Sequence, residues 1–576
     1  MRLHLSAVLT AALLVACAKA PPAAPAPHGA AAEDWPQFAQ RFIEESFRAD
    51  PYFAVTQGRH EFDGQMPDWS RAALEAEVQR LVRSRAQAAA FPESALTEEQ
   101  RYEREYLYTV IDTDLFARVQ ARAPFKNPAW YVGALDPDIY LNGSYAAPEV
   151  RLRGYLGYAR AMPHLAEQIR ANLETPLPAS FVAFASDSFG GFAEFFRKEV
   201  TPAFAAVRDP QLQAQLAAAD AAAADAMDRL TAWLKGQRAS ATQDFALGTP
   251  LLLQMLRVTE RVNLPFEQLQ AIGRADLERN TQALREACAR FLPHAALQAC
   301  VDRMQAHKPQ GGAVEGARTQ LAALRAFVIE HRVVSVPSEE QAQVAEAPAY
   351  NRSNGAYINT PGAYEKSGVA TYFIAPPDPR WNARERAAYI PGRANLLYTS
   401  VHEVWPGHFL QYLHSNRSAS KIEAIWWDYA FGEGWAHYAE ELMWEEGLGE
   451  GDAEQHVGQL VNALERDVRF LSSLGLHSGT MSVADSERMF RTQAFTDAGT
   501  AQQQAERGTY DPEYLKYTLG KLMIRKMRDD WVAQHPPAGG ADPRTTWQAF
   551  HDALLAHGSP PLPLLRQRLL GGGAIL

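Results

Sequence analysis

The chain has 576 residues, 47% hydrophobic and 21% charged, which is the balance of a folded globular protein and excludes a disordered or collagen-like one. Its 56 basic and 67 acidic side chains leave a net charge of −11, so it is not a nucleic-acid binder that works by neutralising phosphates. Three cysteines, at 17, 288 and 300, are too few for a disulfide-stapled scaffold or a cysteine-rich zinc module.

The first segment reads as an export signal. A short positive start, Met1-Arg2-Leu3, precedes a nearly unbroken apolar stretch from Leu5 to Ala16, too short to span a bilayer but suited to a secretory signal. It ends in Leu14-Val15-Ala16-Cys17, which resembles the bacterial lipobox, so residues 1–16 are expected to be removed and Cys17 to carry a lipid. The membrane is then a partner through that N-terminal anchor. The non-acidic Ala18 favours a periplasm-facing lipoprotein of the outer membrane. Residues 17–33 are rich in Pro and Ala and predict an extended tether.

From residue 34 to residue 576 the pattern is one mainly α-helical body, able to divide into two lobes flanking a central cleft. Residues 34–48 and 70–90 carry apolar side chains at three- and four-residue spacing, and 211–235 and 264–292 are helical in the same way. Thr97-Glu98-Glu99-Gln100 and Ser338-Glu339-Glu340-Gln341 have the form of capping boxes that open helices. Cys288 and Cys300 would lie about 18 Å apart on one straight helix. A hairpin turning at Pro293-His294 brings them face to face, and in an oxidising compartment a disulfide is expected. Between about 349 and 378, glycines and prolines bracket β-prone pieces such as Ala370-Thr371-Tyr372-Phe373-Ile374, predicting a small sheet just before the next helix.

Six of the sixteen histidines (402, 408, 414, 437, 456 and 477) fall within the stretch 402–477. The string there is His402-Glu403-Val404-Trp405-Pro406-Gly407-His408. In H-E-x-x-H, histidines at i and i+4 share a helix face and reach one Zn²⁺. Here the second histidine comes at i+6, about 240° away on a regular helix. Pro406 loosens the helix by withholding a donor, and Gly407 permits angles that bring His408 back. Downstream, Glu433, His437 and Glu440 stand at i, i+4 and i+7, on one helix face. Glu433 fits a third ligand by its spacing, with His437 and Glu440 as competitors for that role or as groups that orient a ligand or touch substrate. Trp405, Trp426, Trp427 and Trp435 read as core.

The H-E-x-x-P-G-H string and the E-G-W-A-x-Y-x-E string at 433–440 together resemble the bacterial family catalogued as domain of unknown function 885, similar to gluzincin zinc peptidases. Asp50-Pro51, the run 63–70, Asp511-Pro512-Glu513-Tyr514 with Tyr517, and Pro561-Leu562-Pro563-Leu564-Leu565 extend the likeness over most of 34–570. Where the family often has Asp-x-Gly-x-His, this chain has Ser473-Leu474-Gly475-Leu476-His477.

The resemblance implies a zinc-dependent peptidase acting on short peptides. Its ligands would be His402, His408 and Glu433, its general base Glu403, and its oxyanion donor one of His477, Tyr510, Tyr514 and Tyr517. A zinc hydrolase of a non-peptide amide or ester would use the same residues. A non-catalytic metal-binding lipoprotein is the reading from another class, and the presence of Glu403 argues against it, because binding alone needs no base.

Overall fold

The computed structural model describes residues 33–576; the expected signal, the lipidated Cys17 and most of the tether lie outside them. The described chain is mainly α-helical with one three-stranded sheet. Among the described residues, no helix is long and apolar enough to cross a membrane.

Local signals account for many boundaries. The first helix, Trp35–Ala49, opens on Asp34, whose carboxylate accepts from Gln37 N–H while the Gln37 side chain accepts from Asp34 N–H. Thr97 and Gln100 form the same reciprocal cap on Glu98–Leu115. The periodic stretches at 211–235 and 264–292 are the helices Pro210–Gly236 and Phe266–Phe291. Ser338, in contrast, caps nothing. Five residues later the chain is already a strand, β1 (Gln343–Glu346), because pairing with a distant strand prevails over the local cap.

The sheet has the order β1-β3-β2, where β2 is Ala356–Asn359 and β3 is Thr371–Ile374. Its first strand thus begins upstream of the stretch that sequence patterning marks. β1 runs parallel to β3 with Gln343 opposite Thr371, and β2 runs antiparallel with Ala356 opposite Ile374. All of β3 is buried, Tyr372 and Ile374 in the largest hydrophobic cluster and Phe373 in a smaller one with Ala347 and Ala375. A strand covered on both faces reads as a continuous apolar run. The sheet therefore backs the helix Arg393–Glu403, which follows after one short helix, Ala383–Tyr389.

Four larger clusters hold the rest. The helices Pro148–Asn172, Ala179–Lys198 and Pro210–Gly236 pack on one another around aromatic side chains such as Tyr155, Phe189 and Phe196. The N-terminal helices gather Trp35, Phe38, Phe42 and Phe47. A third cluster joins the Phe266–Phe291 helix to Ala453–Ser478 and contains Cys288 and Cys300, which are bonded with 5.8 Å between their Cα atoms. His294, with φ +66°, marks the turn between Phe266–Phe291 and Leu297–Ala306 that brings the two sulfurs together. The largest cluster surrounds Trp405 and Trp435 and carries the helices that meet in the candidate site.

Candidate metal centre

Two helices and the break between them place the histidines. His402 and Glu403 end the helix Arg393–Glu403, and His408 begins the helix His408–Ser415. The sequence suggests a helix loosened at Pro406; in the structure it stops and restarts. Pro406 has no N–H to offer the turn behind it. The Gly407 N–H reaches instead to the Val401 carbonyl at 3.0 Å. Gly407 is dictated by space, since a Cβ there would lie 1.8 Å from the His402 carbonyl oxygen. Trp435 Nε1 donates to the Pro406 carbonyl at 2.8 Å and ties the break to the next helix. The two imidazoles end edge to face, with ring centroids 4.9 Å apart.

The helix Tyr429–Glu445 supplies the carboxylates. One oxygen of Glu433 lies 3.2 Å from His402 Nε2 and 3.3 Å from His408 Nε2. Two turns on, Glu440 Oε1 lies 2.7 Å from His402 Nδ1. The intervening glycine has its own task. A Cβ on Gly434 would come within 2.5 Å of Gly520 Cα, and one on Gly520 within 1.9 Å of the Ala430 carbonyl oxygen. Only two glycines let Tyr429–Glu445 cross Lys516–Gln534 this closely. Three letters of the E-G-W-A string thus have a physical reason: Glu433 faces the histidines, Gly434 admits the crossing, and Trp435 secures the break.

Charges fit the geometry. Burial works against ionised Glu433, but His408 and His402 outweigh it and hold the carboxyl well below its usual range. Glu440 is fully buried, yet Arg466, at 3.5 Å, and His402 keep it far on the ionised side. His402 is pulled down by burial and up, further, by Glu433 and Glu440, to about 9. Glu403 differs: burial pushes its pKa up, the two histidines only partly oppose this, and among the described residues no side chain bonds it.

His402, His408 and Glu433 each present a donor atom, all within 4.8 Å of one another. Two imidazole nitrogens and a carboxylate oxygen are a donor set that suits zinc. Glu440 stands where an orienting partner for the outer nitrogen of a ligand histidine is expected. Among the described residues, His408 Nδ1 has no such partner.

The other candidates divide. Tyr517 is beside the site, its ring stacked 6.0 Å from that of His402, with Arg469 over its face at 4.7 Å and the Arg507 guanidinium donating to its hydroxyl at 3.4 Å. His437 lies under the site, fully buried, 3.6 Å from Glu440; burial and Lys521 lower it to about 4. Glu440 cannot meet a substrate amine, because it is wholly enclosed and engaged by His402 and Arg466.

His477 is not at the site. It lies eleven residues beyond Arg466 on the helix Ala453–Ser478, about 16 Å along its axis. Both its nitrogens are used, Nε2 donating to the Gly508 carbonyl at 2.8 Å and Nδ1 accepting from Leu247 N–H at 3.3 Å, so burial leaves it a neutral structural histidine. Ser473, at the position of the family's aspartate, bonds the Pro512 carbonyl instead. Tyr514 is fully buried and donates to Ser472, and Tyr510 stacks on Phe184.

Trp405 and Trp435 are core, but Trp426 and Trp427 are only half-buried and line two cavities that meet at them, of about 1210 and 610 Å³. Trp427, on the wall of both cavities, is 6.4 Å from the His408 ring, while His402, His408 and Glu433 line neither. Sequence reasoning did not find Arg466, Arg507 or Tyr412. A buried arginine on an amphipathic helix, such as Arg466, is the one signal that could have pointed to a partner for Glu440.

The architecture is shared. A lipoprotein of unknown function from Shewanella oneidensis superposes with a TM-score of 0.71 at 20% identity, over 94% of this chain and 100% of that one. A lipoprotein from Colwellia psychrerythraea superposes with a TM-score of 0.76 at 17% identity, over 93% and 98%. No curated protein matches. From residue 51 to residue 569 the chain matches the bacterial proteins of unknown function DUF885, and it belongs to that family.

Proposed function

We propose that this protein is a zinc-dependent hydrolase of peptide bonds held at the cell envelope. The observation that carries the reading is the convergence of His402, His408 and Glu433 beside Glu403, a buried carboxyl that bonds no other side chain. His402, His408 and Glu433 would hold zinc, which when bound would supply Lewis-acid polarisation of the scissile carbonyl. Glu403 follows a ligand histidine directly and is the chain's own base. It takes a proton from the attacking water and passes it to the leaving amine. Tyr517 donates its hydroxyl hydrogen to the developing oxyanion, with Arg507 holding the phenol in place. Glu440 fixes the tautomer and orientation of His402.

The envelope location is supported by Leu14-Val15-Ala16-Cys17, by the Cys288–Cys300 bond and by structural relatives described as lipoproteins. Digestion of a peptide library by wild-type protein and by Glu403→Gln tests the reading. Cleavage by the wild type alone, with equal zinc in both, is expected. Cleavage of no peptide by a folded, zinc-loaded wild type would count against a peptidase.

A further inference from the structure

The cavity of about 610 Å³ beside Trp427 has an unusual wall. Its lining contains three carboxylates, Asp136, Asp138 and Glu365, and no lysine, arginine or histidine. Glu365 is answered by His60 from behind the wall, 2.7 Å away. Asp136 and Asp138 have no such answer: among the described residues neither forms an ion pair. Asp136 accepts from Tyr350 OH at 2.5 Å and from Asn359 Nδ2 at 3.4 Å. Asp138 accepts from Asn359 Nδ2 at 2.9 Å and Asn142 Nδ2 at 2.6 Å. Amide and phenol donors satisfy hydrogen bonds but cancel no charge. Burial, and for Asp138 also its neighbour Asp136, push both carboxyls up, Asp138 to about 6.

A second feature of the same cavity is independent of the acids. Ser415 lines it, is 3% exposed, and among the described residues its hydroxyl finds no partner. A buried hydroxyl left without a partner is costly unless a ligand or water completes it. Two residues of its wall also lie toward the candidate centre. Tyr412, on its wall, feels the charge of Glu433, and Trp427 leans toward His408.

We infer that this cavity is a subsite for a cationic group of the substrate, a primary ammonium or guanidinium received by Asp136 and Asp138 on the approach to the His402–His408–Glu433 centre. The inference rests on the hydrolase reading for the word substrate, but the acidic wall stands without it. A cation here forms charge-assisted bonds to two carboxylates that otherwise face each other uncompensated. Glu440, the acid that sequence spacing offers for a substrate amine, is sealed away, whereas Asp136 and Asp138 line a cavity. The ammonium has two sources in a peptide, the free N-terminus and a basic side chain.

Equilibrium binding separates them. The zinc-loaded full chain carrying Glu403→Gln is titrated with tetra-alanine amide, its N-acetyl form, and acetylated forms with lysine or norleucine at the second position. At least one cationic peptide is expected to bind about tenfold or more tightly than its neutral twin. The pair that shows this names the source. Asp136→Asn and Asp138→Asn should each remove the advantage, and added salt should shrink it without any substitution at the wall. Equal binding of charged and neutral twins, an advantage that survives both substitutions, or no binding of any peptide overturns the inference. Discrimination retained by a protein whose unsubstituted form cleaves nothing supports the cationic subsite and contradicts the peptidase reading alone.

Discussion

At the residue scale, the two glutamates of the site are expected to separate by what they lose. Glu403 touches no histidine donor atom, so Glu403→Gln should keep zinc and thermal stability while lowering peptide hydrolysis by about 10²–10⁴-fold. Equal rates in the two proteins would remove Glu403 from the chemistry. Glu440→Gln keeps the shape but replaces an ionised acceptor of His402 Nδ1 with a neutral one, and zinc affinity should fall about 10–100-fold, read by competition with a chelator. Unchanged affinity would make Glu440 a bystander.

Much of this was legible in the string H-E-x-x-P-G-H and the spacing 433–440, because ligand geometry constrains sequence locally. What was not legible depended on tertiary placement. His477 and Tyr514 carry suitable chemistry, but the fold uses them against the Gly508 carbonyl and Ser472. Trp427 read as core and is instead cavity wall.

At the element scale, the ligand geometry depends on a helix that stops at Glu403 and restarts at His408. Gly407→Ala retains every ligand, yet its methyl would meet the His402 carbonyl at 1.8 Å, backbone that cannot turn aside. Overpacking of this kind costs about 1–3 kcal/mol. The expected outcome is a lower melting temperature together with substoichiometric zinc in metal analysis. A stable, zinc-replete Gly407→Ala protein would mean that the break tolerates a side chain and that its geometry is misread. The Pro-Gly signal was visible in the sequence; that it ends a helix outright, with Trp435 holding the ends, was not. Ser338 shows the reverse case, a good local cap overruled by β1–β3 pairing from 28 residues away.

At the scale of the whole molecule, one local tie and one distant tie contribute to stability. The Cys288–Cys300 bond closes a short hairpin against the Ala453–Ser478 helix. In the loop-closure picture such a bond contributes roughly 2–3 kcal/mol. Cys288→Ser with Cys300→Ser should shift the denaturation midpoint accordingly, and no shift would deny the bond a structural role. The hairpin symmetry about residue 294 revealed this tie because both cysteines lie in one local unit.

The second tie, His60 to Glu365, spans 305 residues and had no sequence signal. Burial lowers His60, but Asp63 and Glu365 outweigh it and raise the pKa to about 9, with the ring stacked on Tyr145. The folded value lies above the unfolded value of about 6.5. The stabilisation is therefore complete below pH 6.5 and is lost as pH rises from there through about 9. With 24% of the side chain in water it should amount to on the order of 2 kcal/mol. Denaturation of wild type and His60→Gln from pH 6 to 9.5 should show their difference narrowing with pH; a constant difference would contradict it.

The central claim is that this family member builds a zinc centre from the break after Glu403 and the glutamate seven residues before Glu440. Anomalous diffraction at the zinc edge, from crystals grown with one equivalent of zinc, tests it most directly. A single peak is expected about 2.0–2.2 Å from His402 Nε2, His408 Nε2 and a Glu433 oxygen, with Glu440 still on His402 Nδ1. A peak that engages His437 in place of Glu433, or none at these residues, would contradict it.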